Sequence, residues 1–144
     1  LSTERTKNYV FDWNRMLSFE GNTAPYLQYA HARICSIFRR ANLDRESARN
    51  ASISLNHPNE RSLARAIIGF AEALDDAIDS HSPHRLATYL HGLAQSFASF
   101  YESCPVLIAE DEATRASRLA LCDGVARVLE NGLGLLGIDV PERM

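Results

Sequence analysis

Cysteine is scarce in this chain, and its pattern excludes a disulfide framework. The three cysteines are Cys35 and Cys122, within helical patterns, and Cys104, which precedes a proline. No C-x-x-C pair occurs, and the five histidines do not combine with any cysteine in the spacing of a zinc site. We therefore expect no metal ligands, and we interpret His81 and His84 as helix caps or loop residues.

Long hydrophobic runs are also missing. No apolar stretch approaches the roughly 18 residues that a membrane-spanning helix needs. The first residues, LSTERTKNY, lack the apolar core of a signal peptide. We therefore expect a cytoplasmic protein with no membrane partner.

Positive charge is limited as well, since the net charge is −3. Such a balance argues against binding nucleic acid through bulk electrostatics, so we expect no DNA partner. Residues 26–40 nevertheless contain three arginines and no acid. A basic patch of this size suits a short single-stranded loop better than a long duplex.

Catalytic motifs are absent from the sequence. No nucleophile elbow or phosphate-binding glycine loop occurs, and Gly132 and Gly134 lie in a helical pattern without a preceding strand. The adjacent acids Asp75 and Asp76 would point about 100° apart on a helix, a poor geometry for a general acid and base acting on one substrate. The sequence predicts a binding domain with no catalytic residues and no cofactor of its own.

Strand-like alternation is missing too, whereas apolar residues recur at intervals of three and four. This spacing predicts helices over residues 13–20, 26–41, 60–79 and 83–104, and a last one from the acids at 110–112 to Leu136, closed by Gly137. A weak helical turn is expected within residues 44–50. The predicted fold is all-α, a bundle of about five helices.

The helix over residues 26–41 carries the most unusual surface of the chain. Gly21 supplies a left-handed residue that ends the preceding helix, Asn22 or Thr23 can cap the next one, and Pro25 suits its first turn. An apolar stripe predicts its buried face: Tyr26, Leu27, Ala30, Ile34, Ile37, Phe38 and Ala41.

Two tyrosines and two arginines share one edge of that stripe: Tyr26, Tyr29, Arg33 and Arg40. We call these four residues the tyrosine–arginine edge. Such side chains favour half-buried positions without any ligand, because each has an apolar body and a polar tip. Alternatively, they form a platform on which unstacked nucleic-acid bases lie, each base contributing about 1–3 kcal/mol.

A family resemblance distinguishes these interpretations. The segment GNTAPYLQYAHAR (residues 21–33) closely resembles the helix that opens the C-terminal, DALR-type anticodon-binding domain of bacterial arginyl-tRNA synthetases. Similar matches are NYVFDWNRMLSFE (8–20), FYESCPVL (100–107) and LGIDVPERM (136–144), and the match is weakest over residues 41–79. Residues 8–144 are then the helical domain and residues 1–7 a linker from a catalytic domain.

The resemblance implies a function and a site. The intact enzyme, a class I synthetase, joins arginine to its tRNA using ATP and magnesium, which its catalytic domain binds. No HIGH-like or KMSKS-like segment occurs here, so this chain would lack the catalytic site. The implied partners are arginine tRNA isoacceptors and the catalytic domain. By similarity, Tyr26, Tyr29 and Arg33 line a pocket for the middle anticodon base, with Met144 close by, and Arg40 belongs to the same surface.

Two other classes of function remain open at this point. The tyrosine–arginine edge could pack on a partner helix, which would make the chain a protein–protein interaction module without RNA binding. The domain could also be purely structural and dock only on its own synthetase core. Titration with an arginine anticodon stem–loop would discriminate among the three.

Overall fold

Seven helices form the computed structural model, which describes residues 3, 4 and 6–144, apart from the side chain of residue 15. They are α1 (Trp13–Met16), α2 (Ala24–Ala41), α3 (Arg45–Ala48), α4 (Pro58–Ile68), α5 (Phe70–Asp79), α6 (Pro83–Ser103) and α7 (Glu112–Leu135). No strand occurs in these described ranges. The predicted all-α class is confirmed, with five helices of ten or more residues and two single turns. The predicted linker, residues 1–7, includes residues 1, 2 and 5, which lie outside the described part.

The first predicted helix is shorter than expected, ending at Met16 rather than near residue 20. In place of a last helical turn, Ser18 accepts two local hydrogen bonds. Its hydroxyl accepts from the Glu20 amide at 3.0 Å, and its carbonyl accepts from the Thr23 hydroxyl at 2.6 Å. Gly21 has the predicted left-handed backbone, with a φ of 77°. Thr23 caps α2, its Oγ1 accepting from the Tyr26 amide at 3.3 Å.

The helix predicted over residues 60–79 is instead two helices, α4 and α5, which meet at Gly69. The carbonyl of Ala66, close to this junction, accepts a hydrogen bond from the Tyr89 hydroxyl of α6. Glycine is also a weak helix former. The side chain from another helix and the glycine together account for the break.

The core lies around α6 and α7, which pack closely at one point. A Cβ atom added to Gly132 would lie 2.6 Å from Leu90 Cδ2, so only glycine admits this approach. Six large side chains of these two helices are fully or almost fully buried: Leu90, Leu93, Phe97, Phe100, Leu129 and Leu133. None of the helices in the described ranges is long and apolar enough to cross a membrane.

Helix α2 packs on α7 through a broader face than the predicted stripe. Leu27, Ala30, Ile34, Ile37 and Phe38 are buried as expected, whereas Tyr26 and Ala41 are only partly buried. Three further residues of α2 are buried: His31, Ala32 and Cys35.

The end of α7 turns the chain back towards α2. Gly137 has a φ of 74°, a left-handed conformation that glycine adopts without steric cost. The Ile138 amide donates to the Leu133 carbonyl at 2.9 Å, which satisfies one of the last carbonyls of the helix. The final residues then pack beside α2, where Ile138 and Val140 contact the core.

Candidate functional site

A pocket of about 200 Å³ lies on the outer side of α2. Its lining is Tyr29, Ala32, Arg33, Ser36, Arg39 and Met144. The structure therefore brings together three of the residues predicted for one site, although the last of them is more than a hundred positions away in sequence. Two arginines and an exposed aromatic ring give this pocket the chemistry of a site for a planar, electron-rich or anionic group.

Tyr29 supplies the aromatic face, and a neighbouring ring braces it. Its side chain is 47% exposed. The rings of Tyr29 and Phe19 meet in a T-shaped arrangement, with ring centroids 6.5 Å apart and an interplanar angle of 82°. Phe19 was not among the predicted site residues, and the exposure of this phenylalanine, 58%, places a second aromatic ring beside the pocket.

Arg33 is held above another aromatic ring. Its guanidinium carbon lies 4.7 Å from the centroid of Tyr101 on α6, a cation–π contact. Tyr101 in turn packs on Phe97, with centroids 5.9 Å apart. The guanidinium of Arg33 is therefore in contact with Tyr101 at the surface of the protein.

The other two residues of the tyrosine–arginine edge lie outside this pocket. Arg40 lines an adjoining hollow of about 270 Å³ with Tyr101 and residues 105–108. Tyr26 is half-buried, and its ring packs on His91 of α6 at a centroid distance of 5.2 Å. The site thus runs from Tyr29 through Arg33 and Tyr101 to Arg40, with Tyr26 packed towards the core.

The C-terminal residues are held in place, although their sequence alone resembles a frayed terminus. Gln28 Nε2 donates to the Asp139 carbonyl at 2.7 Å, and Arg39 Nη1 donates to the Glu142 carbonyl at 2.9 Å. Arg39 therefore both lines the pocket and secures the chain segment that ends at Met144. Arg39 was not among the residues that the sequence analysis predicted for the site.

A partly buried ionic cluster joins α2, α3 and α7. His31 Nε2 is 2.9 Å from Glu130 Oε1, and Arg45 binds both oxygens of Glu130 at 2.5 and 3.1 Å. The Nε of Arg45 also reaches Asp123, which is 2% exposed, at 3.1 Å, and Arg49 binds the second oxygen of Asp123 at 3.2 Å. The hydrogen bond from Arg45 is the main reason that the pKa of Glu130 is lowered, so this carboxylate stays ionised.

Sequence reasoning missed this cluster because its two acids lie on α7, 74 to 99 positions away in sequence from the basic side chains that they bind. One signal was available. His31 falls between Leu27 and Ile34 on the buried face of α2, and a polar residue there requires a partner inside the fold.

Other reactive groups show no comparable arrangement. Within the described ranges, no group of three or more His, Cys, Asp or Glu side chains could hold a metal ion. The three cysteines are buried and unpaired. Burial raises the pKa of the Cys104 and Cys122 thiols, which makes them poor nucleophiles.

Comparison with known proteins agrees with this geometry. The family model described as "DALR anticodon binding domain" matches residues 27–144. The arginine–tRNA ligase of Proteus mirabilis is 51% identical over 144 residues, covering 100% of this chain and 25% of that protein. The arginine–tRNA ligase of Frankia casuarinae is 55% identical over 144 residues, covering 100% of this chain and 24% of that protein.

Solved structures of arginyl-tRNA synthetases are also similar to this chain. The arginyl-tRNA synthetase of Plasmodium falciparum superposes with a TM-score of 0.86 at 31% identity, covering 99% of this chain and 25% of that one. The Thermus thermophilus enzyme superposes with a TM-score of 0.78 at 42% identity, covering 89% of this chain and 22% of that one. The chain thus spans about a quarter of the length of these relatives. The resemblance found in the sequence is confirmed, and the chain belongs to the DALR anticodon-binding domain family, matching the C-terminal quarter of arginine–tRNA ligases.

Proposed function

We propose that this domain binds the anticodon loop of arginine tRNA and that the pocket beside Tyr29 receives the middle anticodon base. The observation that carries the proposal is the convergence of Tyr29, Arg33 and Met144 on one pocket in a member of an anticodon-binding family. Every arginine codon has G in the middle, so every arginine tRNA presents C there. A single pocket for that base would serve all isoacceptors.

The lining residues suit a splayed cytosine. The exposed face of Tyr29 can stack on the base, and a stacked base contributes about 1–3 kcal/mol. Arg33 offers guanidinium donors beside the ring of Tyr101, and the Watson–Crick edge of cytosine presents two acceptors to such donors. Met144 supplies an apolar, polarisable wall. We assign Arg39 and Arg40, which line the pocket and the second hollow, to contacts with the phosphates of the loop.

Tyr26 has an indirect part in this proposal. Its ring packs on His91 rather than lining the pocket. Because Tyr26 lies one turn before Tyr29 on α2, it fixes the orientation of the helix that presents Tyr29. We retain it in the site as a supporting residue.

The proposal extends to the whole enzyme only by analogy with the relatives. In that setting the domain serves an ATP-dependent arginine–tRNA ligase that acts in the cytoplasm, with ATP and magnesium bound by a catalytic domain outside residues 8–144. Residues 1–7 would connect the two parts. The domain then contributes tRNA selection, and the chemistry of ligation occurs elsewhere.

A fluorescence titration with an arginine anticodon stem–loop tests the proposal. A second stem–loop, changed only at the middle anticodon base, measures selectivity. We expect clear discrimination between the two RNAs, and loss of that discrimination in Arg33→Ala. The matched control is Arg65→Ala, which removes the same charge from an exposed position of α4.

The outcomes separate the candidate functions. Equal binding of both stem–loops would contradict the middle-base pocket. No binding of either RNA, with a folded domain, would favour a protein partner for this surface.

A further inference from the structure

The last residues of the chain run along α2 in the same direction as the helix. Gln28, His31 and Arg39 contact the carbonyl oxygens of residues 139, 141 and 142, in that order. At about 100° per residue these three α2 positions fall within one stripe about 80° wide. We call residues 139–144 the C-terminal segment.

This stripe adjoins the pocket on the helical wheel. Continuing around α2, Ala32 follows the stripe, then Ser36, Tyr29 and Arg33, which are the other α2 residues that line the pocket. The C-terminal segment therefore forms one wall of the pocket, and Met144 is the part of the wall that faces it. Whatever fixes this segment also fixes the shape of the pocket.

His31 is the buried member of the three contacts, with 1% of its side chain exposed. Its Nδ1 lies 3.1 Å from the carbonyl oxygen of Pro141, and its Nε2 lies 2.9 Å from Glu130 Oε1. A carbonyl oxygen only accepts, and an ionised carboxylate only accepts. Both ring nitrogens must therefore carry hydrogens, which makes His31 an imidazolium.

The surroundings of His31 support the charged ring. Glu130 of α7 faces it directly, Arg45 of α3 holds that carboxylate from the other side, and Cys35 Sγ, on α2 itself, is 3.8 Å from Nε2. Burial opposes the charge, but the bonds to Cys35, Glu130 and the Pro141 carbonyl outweigh it and raise the pKa of His31 to about 9.

We propose that His31 is a positioning residue for RNA recognition, whose doubly protonated ring joins Glu130 to the Pro141 carbonyl and so holds Met144 at the pocket. The link to RNA rests on the proposed function. The placement of the C-terminal segment by His31 does not, because it concerns contacts within the chain.

Loss of one proton from the ring releases the segment. The carboxylate of Glu130 is a stronger acceptor than a peptide carbonyl, so the neutral ring keeps its hydrogen on Nε2. Nδ1 then presents a lone pair to the Pro141 oxygen, and two acceptors repel each other. Of the three hydrogen bonds from α2 to this segment, those donated by Gln28 and Arg39 remain, and both lie at the protein surface.

Methionine methyl NMR tests the placement directly, because the chain has two methionines, Met16 and Met144. With carbon-13 methyl labels, we expect a dispersed Met144 signal near neutral pH that moves to the random-coil position in His31→Gln. Met16 serves as the internal reference and should not move. The matched control is His84→Gln, which makes the same change beside Asp76 and Arg85.

The pH dependence of the Met144 signal distinguishes a role of the His31 protons from a role in packing alone, since packing alone would give no titration of this signal. In the wild-type chain, the Met144 signal should move to the random-coil position with a midpoint near pH 9. In His31→Gln it should stay there at every pH. A Met144 signal unaffected by pH up to 10.5 in the wild-type chain would overturn the proposal, and this test remains decisive even if the variant does not fold.

RNA titrations at pH 7 then test the link to recognition. We compare the wild-type chain, His31→Gln, a chain lacking residues 140–144, and the combination, using the arginine anticodon stem–loop. His31→Gln should weaken binding by about 3- to 10-fold, and it should cause no further loss once residues 140–144 are absent.

The two proposals fail in different ways. If the wild-type chain does not discriminate the middle base, the proposed function fails and the NMR result is unaffected. Two outcomes with a wild-type chain that does discriminate would show that His31 does not act through the C-terminal segment. In the first, His31→Gln binds the stem–loop as tightly as wild type. In the second, His31→Gln weakens binding by the same factor in the full chain and in the chain lacking residues 140–144.

Discussion

The guanidinium of Arg33 lies 4.7 Å above the ring of Tyr101, and this contact joins α2 to α6 at the surface rather than in the core. Arg33 is exposed, whereas the next residue, Ile34, is fully buried. Adjacent residues of α2 thus lie in the proposed recognition surface and in the core, which allows the two to be tested by single substitutions.

Ile34→Ala should lower the free energy of unfolding by about 2–5 kcal/mol, because it removes core atoms and leaves a cavity. Arg33→Ala should lower it by less than about 1 kcal/mol, since an exposed cation–π contact contributes little. Urea unfolding of both variants checks this order. The reverse order would mean that the assignment of the α2 faces is wrong.

Tyr29→Ala should weaken binding of the anticodon stem–loop by about 1–3 kcal/mol, the usual contribution of one stacking platform, and should change the melting temperature little. Deleting residues 140–144 should also weaken binding. Since both changes affect one pocket, the combined loss should be smaller than the sum of the single losses. Strict additivity at one salt concentration would place Tyr29 and Met144 in separate sites.

Binding should depend only weakly on salt. Arg33, Arg39 and Arg40 are the basic residues at the two adjoining pockets, so we expect about two to four phosphate contacts. Each contact contributes about −0.7 to the slope of log affinity against log salt for a single strand. A slope steeper than about −6 would reveal a larger basic surface than these arginines provide.

Acid should destabilise the domain partly through Glu60. This residue is 1% exposed, and its carboxylate accepts from Arg118 Nε at 2.7 Å and from the His57 amide at 2.8 Å. Burial opposes ionisation, but the bonds to His57 and Arg118 prevail, so the pKa of Glu60 is lowered from 4.5. Its stabilising contribution is therefore present above pH 4.5 and is lost as the pH falls through the lowered value.

Glu60→Gln isolates that contribution. At pH 7 the variant should be less stable by about 1–3 kcal/mol, because Arg118 loses a charged partner. The difference from wild type should shrink as the pH falls towards 3. Urea unfolding at several pH values measures it, and a constant difference would show that the ionised form of Glu60 is not what stabilises the fold.

Purified chain should show no ATP–pyrophosphate exchange with arginine, with or without tRNA. The chain matches about a quarter of the length of its relatives, and the described pockets offer no phosphate-binding glycine loop. Exchange above the level of a preparation made from cells without the expression plasmid would contradict this expectation.

Local patterns in the sequence predicted most of the helical architecture. The three- and four-residue spacing of Leu27, Ala30 and Ile34 indicates burial on one side of α2. Pro83 marks the start of α6 because proline favours the first turn. These signals act over neighbouring residues. They are therefore present in the sequence without knowledge of the fold.

The misplaced features depend on residues that are distant in sequence. The break at Gly69 involves Tyr89, and the burial of His31 is explained only by Glu130 and Pro141. Phe19 lies beside the site because its ring contacts that of Tyr29. The pocket residues themselves came from resemblance to a family, since a tyrosine and an arginine at a helix edge have an ordinary structural explanation.

The contacts between α2 and the C-terminal segment also set an order of events during synthesis. Gln28, His31 and Arg39 leave the ribosome more than a hundred residues before the carbonyls they bind. A nascent chain can pack α2 against α6 and α7, but the wall that carries Met144 forms only after residue 142 has emerged. In the proposed function, binding of the anticodon loop therefore waits until these last residues have emerged, and a chain that lacks residues 140–144 has no Met144 in the pocket wall.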